Sequence, residues 1–105
     1  MKEIRYGVLL DFYGELLTEK QRDSLDLYYN EDYSLLEIGE HLNISRQGVH
    51  ECIKKGCEHL EEYEKVLGLY QKELEKESLK EEMVEKLSHL DENTKNEITQ
   101  LLDRL

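Results

Sequence analysis

Apolar residues at the start of the chain recur in a helical rhythm. From Lys2 to Leu17, the positions Ile4, Val8, Leu9, Phe12, Leu16 and Leu17 return at three- and four-residue steps, which predicts a first helix with those side chains on its buried face. Thr18 then opens "TEKQ". Its hydroxyl can accept from the Gln21 backbone while the Gln21 side chain reaches back, a capping box that starts a second helix through "RDSLDLYY", with Leu25, Tyr28 and Tyr29 inward. "NEDY" is a polar break. Ser34 and Glu37 form a second capping box, followed by a third helix with Leu35, Ile38 and Leu42 on its inner side. After "LNI", Ser45 is a favoured N-cap for a long fourth helix. Val49, Ile53, Cys57, Leu60, Tyr63, Leu67, Tyr70 and Leu74 hold one narrow stripe along it. Nothing obliges that helix to stop before Glu75, although Gly56 and Gly68 each weaken it by about 1 kcal/mol relative to Ala and are candidate bends. Leu79, Met83, Val84, Leu87 and Leu90 repeat the pattern from Ser78 to Leu90, and "DENTKNE" introduces a last helix carrying Ile98, Leu101, Leu102 and Leu105.

Composition narrows the class. The 105 residues include no proline and only six glycines, so the expected fold is all-α, a helix-turn-helix head at 1–67 with an acidic helical tail at 68–105. A head of that size has limited area to cover the stripe from Tyr63 to Leu90. The tail is therefore expected to pack on the first helix or on a second chain, and a homodimer is the favoured outcome. There is no run of eighteen or more apolar residues, and the N-terminus has no secretion-signal pattern, so no membrane insertion and a cytoplasmic location are expected.

The segment from Ser34 to Lys55, "SLLEIGEHLNISRQGVHECIKK", has the chemistry of a helix-turn-helix corner. Ile38 pins the first helix, Gly39 is the small residue where the helices cross, Ile44 plugs the turn, and Val49 returns from the second helix to the same core. Together with the opening "LT", the "LYY" of Leu27 to Tyr29, "EIG" and "LNISRQGV", this region resembles the helix-turn-helix of the fourth conserved region of bacterial sigma factors. With its N-terminal helix and acidic tail included, the whole chain resembles the YlxM family, small bacterial proteins with a sigma-like helix-turn-helix. In that family the gene commonly lies beside that of the signal recognition particle GTPase, which implies a regulatory or accessory role in that targeting pathway.

Charge restricts how such a corner can be used. The chain has 14 basic and 25 acidic residues and a formal net charge of −11, so nucleic-acid binding, to DNA or to RNA, requires a local basic patch. A helix starting at Arg46 puts Gln47, His50, Glu51 and Lys54 on the face opposite Val49 and Ile53. Arg46 and Gln47 can meet base edges and Lys54 and Lys55 phosphates, while Ser45 offers a hydroxyl and the helix N-terminus. From Ser45 to Lys55 three basic residues stand against one acidic, a local +2, whereas residues 18–67 hold six basic against twelve acidic. Glu58, Glu61 and Glu62 follow on the same helix, so phosphate is tolerated only over its first three turns.

Other groupings carry less. His50, Cys52, Cys57 and His59 are zinc-ligand types, but on one helix Cys52 and His59 point well away from His50 and Cys57, so no metal site is expected. The two cysteines diverge by roughly 140°, and reduced thiols are the expectation. The seven tyrosines could stack on unpaired bases, but Tyr28, Tyr63 and Tyr70 fall at core spacing, so packing is the expectation. No phosphate loop or nucleophile motif occurs, and neither an enzyme nor a cofactor is predicted. A rival reading from another class is a protein-interaction adaptor, its helix-turn-helix a scaffold and its acidic helices bound to a basic partner.

Overall fold

The computed structural model describes residues 3–105, and those residues are all-α. Helix α1 is Ile4–Tyr13, followed by one 3-10 turn at Gly14–Leu16; then come α2 (Glu19–Tyr29), α3 (Leu35–Leu42), α4 (Arg46–Leu67), α5 (Leu69–Lys86) and α6 (Glu92–Asp103). The helix starts obey local chemistry. Both capping boxes are closed in each direction, Thr18 with Gln21 and Ser34 with Glu37, and Ser45 Oγ accepts the Gly48 N–H at 3.0 Å. Each such cap contributes about 1 kcal/mol by satisfying amides that have no partner inside the helix. By contact the chain divides into two units, the first ending at Tyr70 and the second spanning Gln71–Leu105.

The first unit holds the core. Leu9, Leu10, Tyr13 and Leu17 pack with Leu25 and Leu60, with Ile53, Cys57, Tyr63 and Tyr70 half-buried around them. The aliphatic spacing predicts the first buried face only in part, since Leu9 and Leu17 are buried and Val8 is half-buried. Ile4, Phe12 and Leu16 are exposed, and the face turns to Tyr6, Leu9, Leu10 and Tyr13. Tyrosine decides the phase: a phenol ring buries as much area as a leucine and keeps one polar atom to be paired. Tyr13 is 1 % exposed, and its hydroxyl is paired twice, donating to Glu64 Oε1 and accepting the Leu69 N–H at 3.0 Å.

The same pairing ends α4. The expected continuation to Glu75 does not occur; the helix stops at Leu67, and Gly68 takes the left-handed conformation at φ 62°. Glu64 accepts the Tyr70 N–H at 3.0 Å, so Tyr13 and Glu64 cap the first amides of α5 from outside that helix. Left-handed backbone is easy for glycine and costs other residues roughly 1–2 kcal/mol, which is why the break falls at this position. The other candidate bend, Gly56, sits inside continuous helix, buried against Leu25.

Arg5 ties α1 to the far end of α4. Its Nε donates to Glu61 Oε1 at 2.7 Å and its Nη2 to Oε2 at 3.0 Å, and its guanidinium carbon is 5.9 Å from the Tyr70 ring centroid. The hydrogen bond from Arg5 holds the Glu61 carboxyl below its ordinary range. A carboxyl depressed in the folded state is more protonated when unfolded, so the pair stabilises above the unfolded pKa of about 4.3 and loses that contribution as pH falls through the folded value. Both side chains are about two-fifths exposed (43 % and 40 %), and screening limits the effect to less than about 1 kcal/mol. Glu61→Gln should therefore lower the urea midpoint slightly at about pH 7 and by less at about pH 3. An equal difference at both pH values would show that the ion pair contributes nothing.

The second unit is a helix pair. Asp91 caps α6 by accepting the Thr94 N–H at 2.8 Å and the Thr94 hydroxyl at 3.1 Å, and Lys80 Nζ lies 3.9 Å from Asp103 Oδ1. No residue of the unit is buried: Leu74, Leu79, Met83, Val84, Leu101 and Leu105 are exposed, while Leu87, Leu90, Ile98 and Leu102 are half-buried.

Candidate nucleic-acid interface at the helix-turn-helix corner

The corner forms as the residue pattern expects. Asn43 ends α3 in the left-handed conformation at φ 57°, a state that its short polar side chain tolerates, and the Ile44 N–H then bonds back to the Gly39 carbonyl at 3.0 Å. Ile38 and Val49 are fully buried. Gly39 is buried too, and a Cβ placed on it would lie 2.9 Å from the Ile44 carbonyl oxygen, closer than real Cβ contacts approach. Two helices separated by so little space hold a fixed angle. Every side chain projecting from the first turns of α4 is aimed by that angle.

The residues singled out in the sequence lie here as follows. Ser45, Arg46, Gln47, His50, Lys54 and Lys55 are all exposed, on the N-terminal turns of α4. Ser45 Oγ is already an acceptor for Gly48, which leaves its hydroxyl proton to donate outward. Arg46, Gln47 and His50 line a shallow concavity together with Leu35 of α3, while Lys54 and Lys55 are not part of that lining. Lys55 Nζ is 3.6 Å from Glu51 Oε1, so one cation of the patch is already engaged within the helix. Arg46 and Lys54 make no ion pair among the described residues. Further along, Glu58 and Glu62 are exposed, and Glu61 is occupied by Arg5.

Two features escaped the sequence reading. One is Leu35, assigned there to the inner face of α3; it is half-buried and also walls the concavity, and its neighbour Leu36 is 62 % exposed. The pair "LL" carried the signal, because at about 100° per residue Leu36 falls roughly opposite Ile38 and Leu42 once those two face inward. The other is the acidity of the turn and α3. From Glu31 to Ser45 there are four acidic residues, Glu31, Asp32, Glu37 and Glu40, all exposed, and no Lys or Arg. These are four of the twelve acids counted over residues 18–67, and what the total hides is that this stretch has no base to offset them.

Cys52 and Cys57 are free and half-buried, and Cys57 Sγ is 3.7 Å from the Tyr29 hydroxyl. Burial pushes both that thiol and the Tyr29 phenol above their ordinary pKa values, which makes the sulfur a poor nucleophile. Among the described residues no three His, Cys, Asp or Glu side chains are gathered as a metal site would need, and no helix is long and apolar enough to cross a membrane.

Comparison with known proteins agrees with the corner. Residues 1–101 match the family UPF0122, described as "Putative helix-turn-helix protein, YlxM / p13 like". The chain is similar to a UPF0122 protein of Acetivibrio thermocellus, 51 % identical over 85 residues that make up 81 % of this chain and 73 % of the relative. A Clostridium kluyveri relative is 43 % identical over 104 residues, covering 99 % and 91 % of the two chains. One from Listeria innocua is 42 % identical over 103 residues, covering 95 % and 94 %.

Proposed function

The chain belongs to the UPF0122 family of YlxM / p13-like helix-turn-helix proteins, and from that footing we propose that it is a nucleic-acid-binding regulatory or accessory protein of the signal recognition particle pathway. Residues 1–67 act as the binding head and 68–105 as an acidic tail. The observation that carries the reading is the fixed elbow at Gly39 and Ile44, which presents Ser45, Arg46, Gln47, His50, Lys54 and Lys55 on exposed turns of one helix with a local charge of +2. Support for the pathway comes from the resemblance to YlxM proteins and their gene neighbourhood. The protein works in the cytoplasm and catalyses no reaction.

The test is fluorescence anisotropy of the full chain with the particle's RNA and with DNA across a salt series. Arg46→Ala/Lys54→Ala should weaken binding and reduce the salt slope by about 1, for the phosphate that Lys54 no longer neutralises. Unchanged affinity removes this face from the mechanism. The acidic tail favours the adaptor reading as the rival. If binding survives the double substitution and a basic partner is released on neutralising Glu81, Glu82 and Glu85, that rival replaces the proposal.

The homodimer belongs to the same reading. Two helices this short, without one buried residue, have too little core of their own to be stable alone, and their apolar positions supply a four-helix seam when two tails meet. Sedimentation equilibrium should return twice the chain mass at micromolar concentration. A monomer there rejects the pairing.

A further inference from the structure

Resting on the nucleic-acid reading above, we propose that the ligand held at this corner is an unpaired nucleotide, in a loop, a bulge or a single strand, and not the groove of a duplex. In a duplex-reading helix-turn-helix the first helix crosses the phosphate backbone while the second enters the major groove. Here the segment that would make the crossing carries Glu31, Asp32, Glu37 and Glu40 with no Lys or Arg. A duplex brings one negative charge per roughly 1.7 Å of its axis. Arg46 and Lys54 are the two cations of the patch without an ion pair among the described residues, and α4 turns acidic again at Glu58 and Glu62. A duplex laid over this corner therefore meets acid on both sides of a narrow basic spot.

One nucleotide meets something different. The concavity between α3 and α4 has a half-buried aliphatic wall in Leu35, an imidazole in His50, a carboxamide with donor and acceptor in Gln47, and a guanidinium in Arg46. That set offers a base an apolar seat, a stacking surface and two side chains able to bond its edge, which is open only when the base is unpaired. The flanking phosphate falls to the Ser45 hydroxyl or to Lys54, one turn on from His50. Recognition is thus confined to one or two nucleotides, and the surrounding acids discourage a longer footprint.

The experiment uses the full chain and four labelled probes at low and physiological salt: a short mixed-sequence RNA strand, the DNA strand of the same sequence, and the blunt duplex of each. Either strand should bind about tenfold or more tightly than its duplex, the scale of one stacked base. Gln47→Ala and His50→Ala, both surface changes, should each weaken strand binding about tenfold with the salt slope unchanged, whereas Lys54→Ala should also flatten the slope. Preference for the RNA strand over the DNA strand would show that the 2′-hydroxyl is read, and equal binding that it is not; both sustain the inference. Duplex binding as tight as strand binding overturns it and leaves the nucleic-acid reading standing. Failure of all four probes to bind overturns both.

Discussion

Leu25→Ala should lower the unfolding free energy by about 2–5 kcal/mol, Gly56→Ala by up to about 2, and the two together by clearly less than their sum. Leu25 is fully buried between α2 and α4, and a Cβ added to Gly56 would lie 2.6 Å from Leu25 Cδ1 and 3.3 Å from Cγ. Truncating Leu25 leaves a cavity in the main cluster. Adding the methyl at Gly56 overpacks the same spot by about 1–3 kcal/mol, set against about 1 kcal/mol gained because alanine favours helix over glycine. In the double variant the new methyl enters the space that the leucine has left. A coupling of about 0.5–3 kcal/mol in the direction of rescue is expected from urea unfolding of the four proteins. Against a total stability of about 5–15 kcal/mol, the leucine substitution alone would put a sizeable unfolded fraction within reach of mild heating. Strict additivity would show that Leu25 turns away from Gly56 without cost, and that the close approach of α2 to α4 does not depend on the glycine.

How much of this was written in the sequence depends on the range of the interaction. Thr18 with Gln21, Ser34 with Glu37, and Asp91 with Thr94 bond within three residues of each other, so each helix start could be read from four letters. The corner was legible for a similar reason, because Ile38, Gly39, Ile44 and Val49 form one short-range packing unit. Tyr13 with Glu64 was not legible, since the partners are 51 positions apart and only the fold brings them together. That pair, with Gly68, ends a helix whose apolar spacing alone would run on. The first buried face was read correctly at Leu9 and Leu17 but not at Tyr6 and Tyr13, which aliphatic counting passes over. At the candidate site, exposure of Gln47, His50 and Lys54 followed from the buried phase of Val49, and the Glu51 to Lys55 pair could be seen in the i,i+4 spacing. The concavity could not, because it needs Leu35 of another helix.

Gly39→Val should dismantle the corner while leaving the packing of α1 on α4 largely in place. The atom that a side chain at this position meets first is a backbone oxygen, that of Ile44 at 2.9 Å, with Val49 Cγ2 next at 3.6 Å. A backbone oxygen has no rotamer to change, and this carbonyl precedes Ser45, the N-cap of α4. Relief therefore has to come from moving the two helices apart, at a cost at or above the upper end of the usual overpacking range of about 1–3 kcal/mol. Gly48→Ala is the matched control. The added Cβ there would lie 3.2 Å from Ser45 Oγ, the end of a side chain that can give by a few tenths of an ångström, and only a small loss is expected. Amide hydrogen exchange should show Gly39→Val losing protection at Ile44 and Val49 while Leu9, Leu10 and Leu60 keep most of theirs. Strand binding should fall by about tenfold or more, because Arg46 and Gln47 follow the displaced carbonyl by two and three residues and lose the aim that pairs them with Leu35. Gly48→Ala should bind nearly as the parent does. If Gly39→Val instead melts, exchanges and binds like the parent, the two helices are not held at a fixed angle, and the outward residues of α4 are a solvated surface without the geometry that recognition requires.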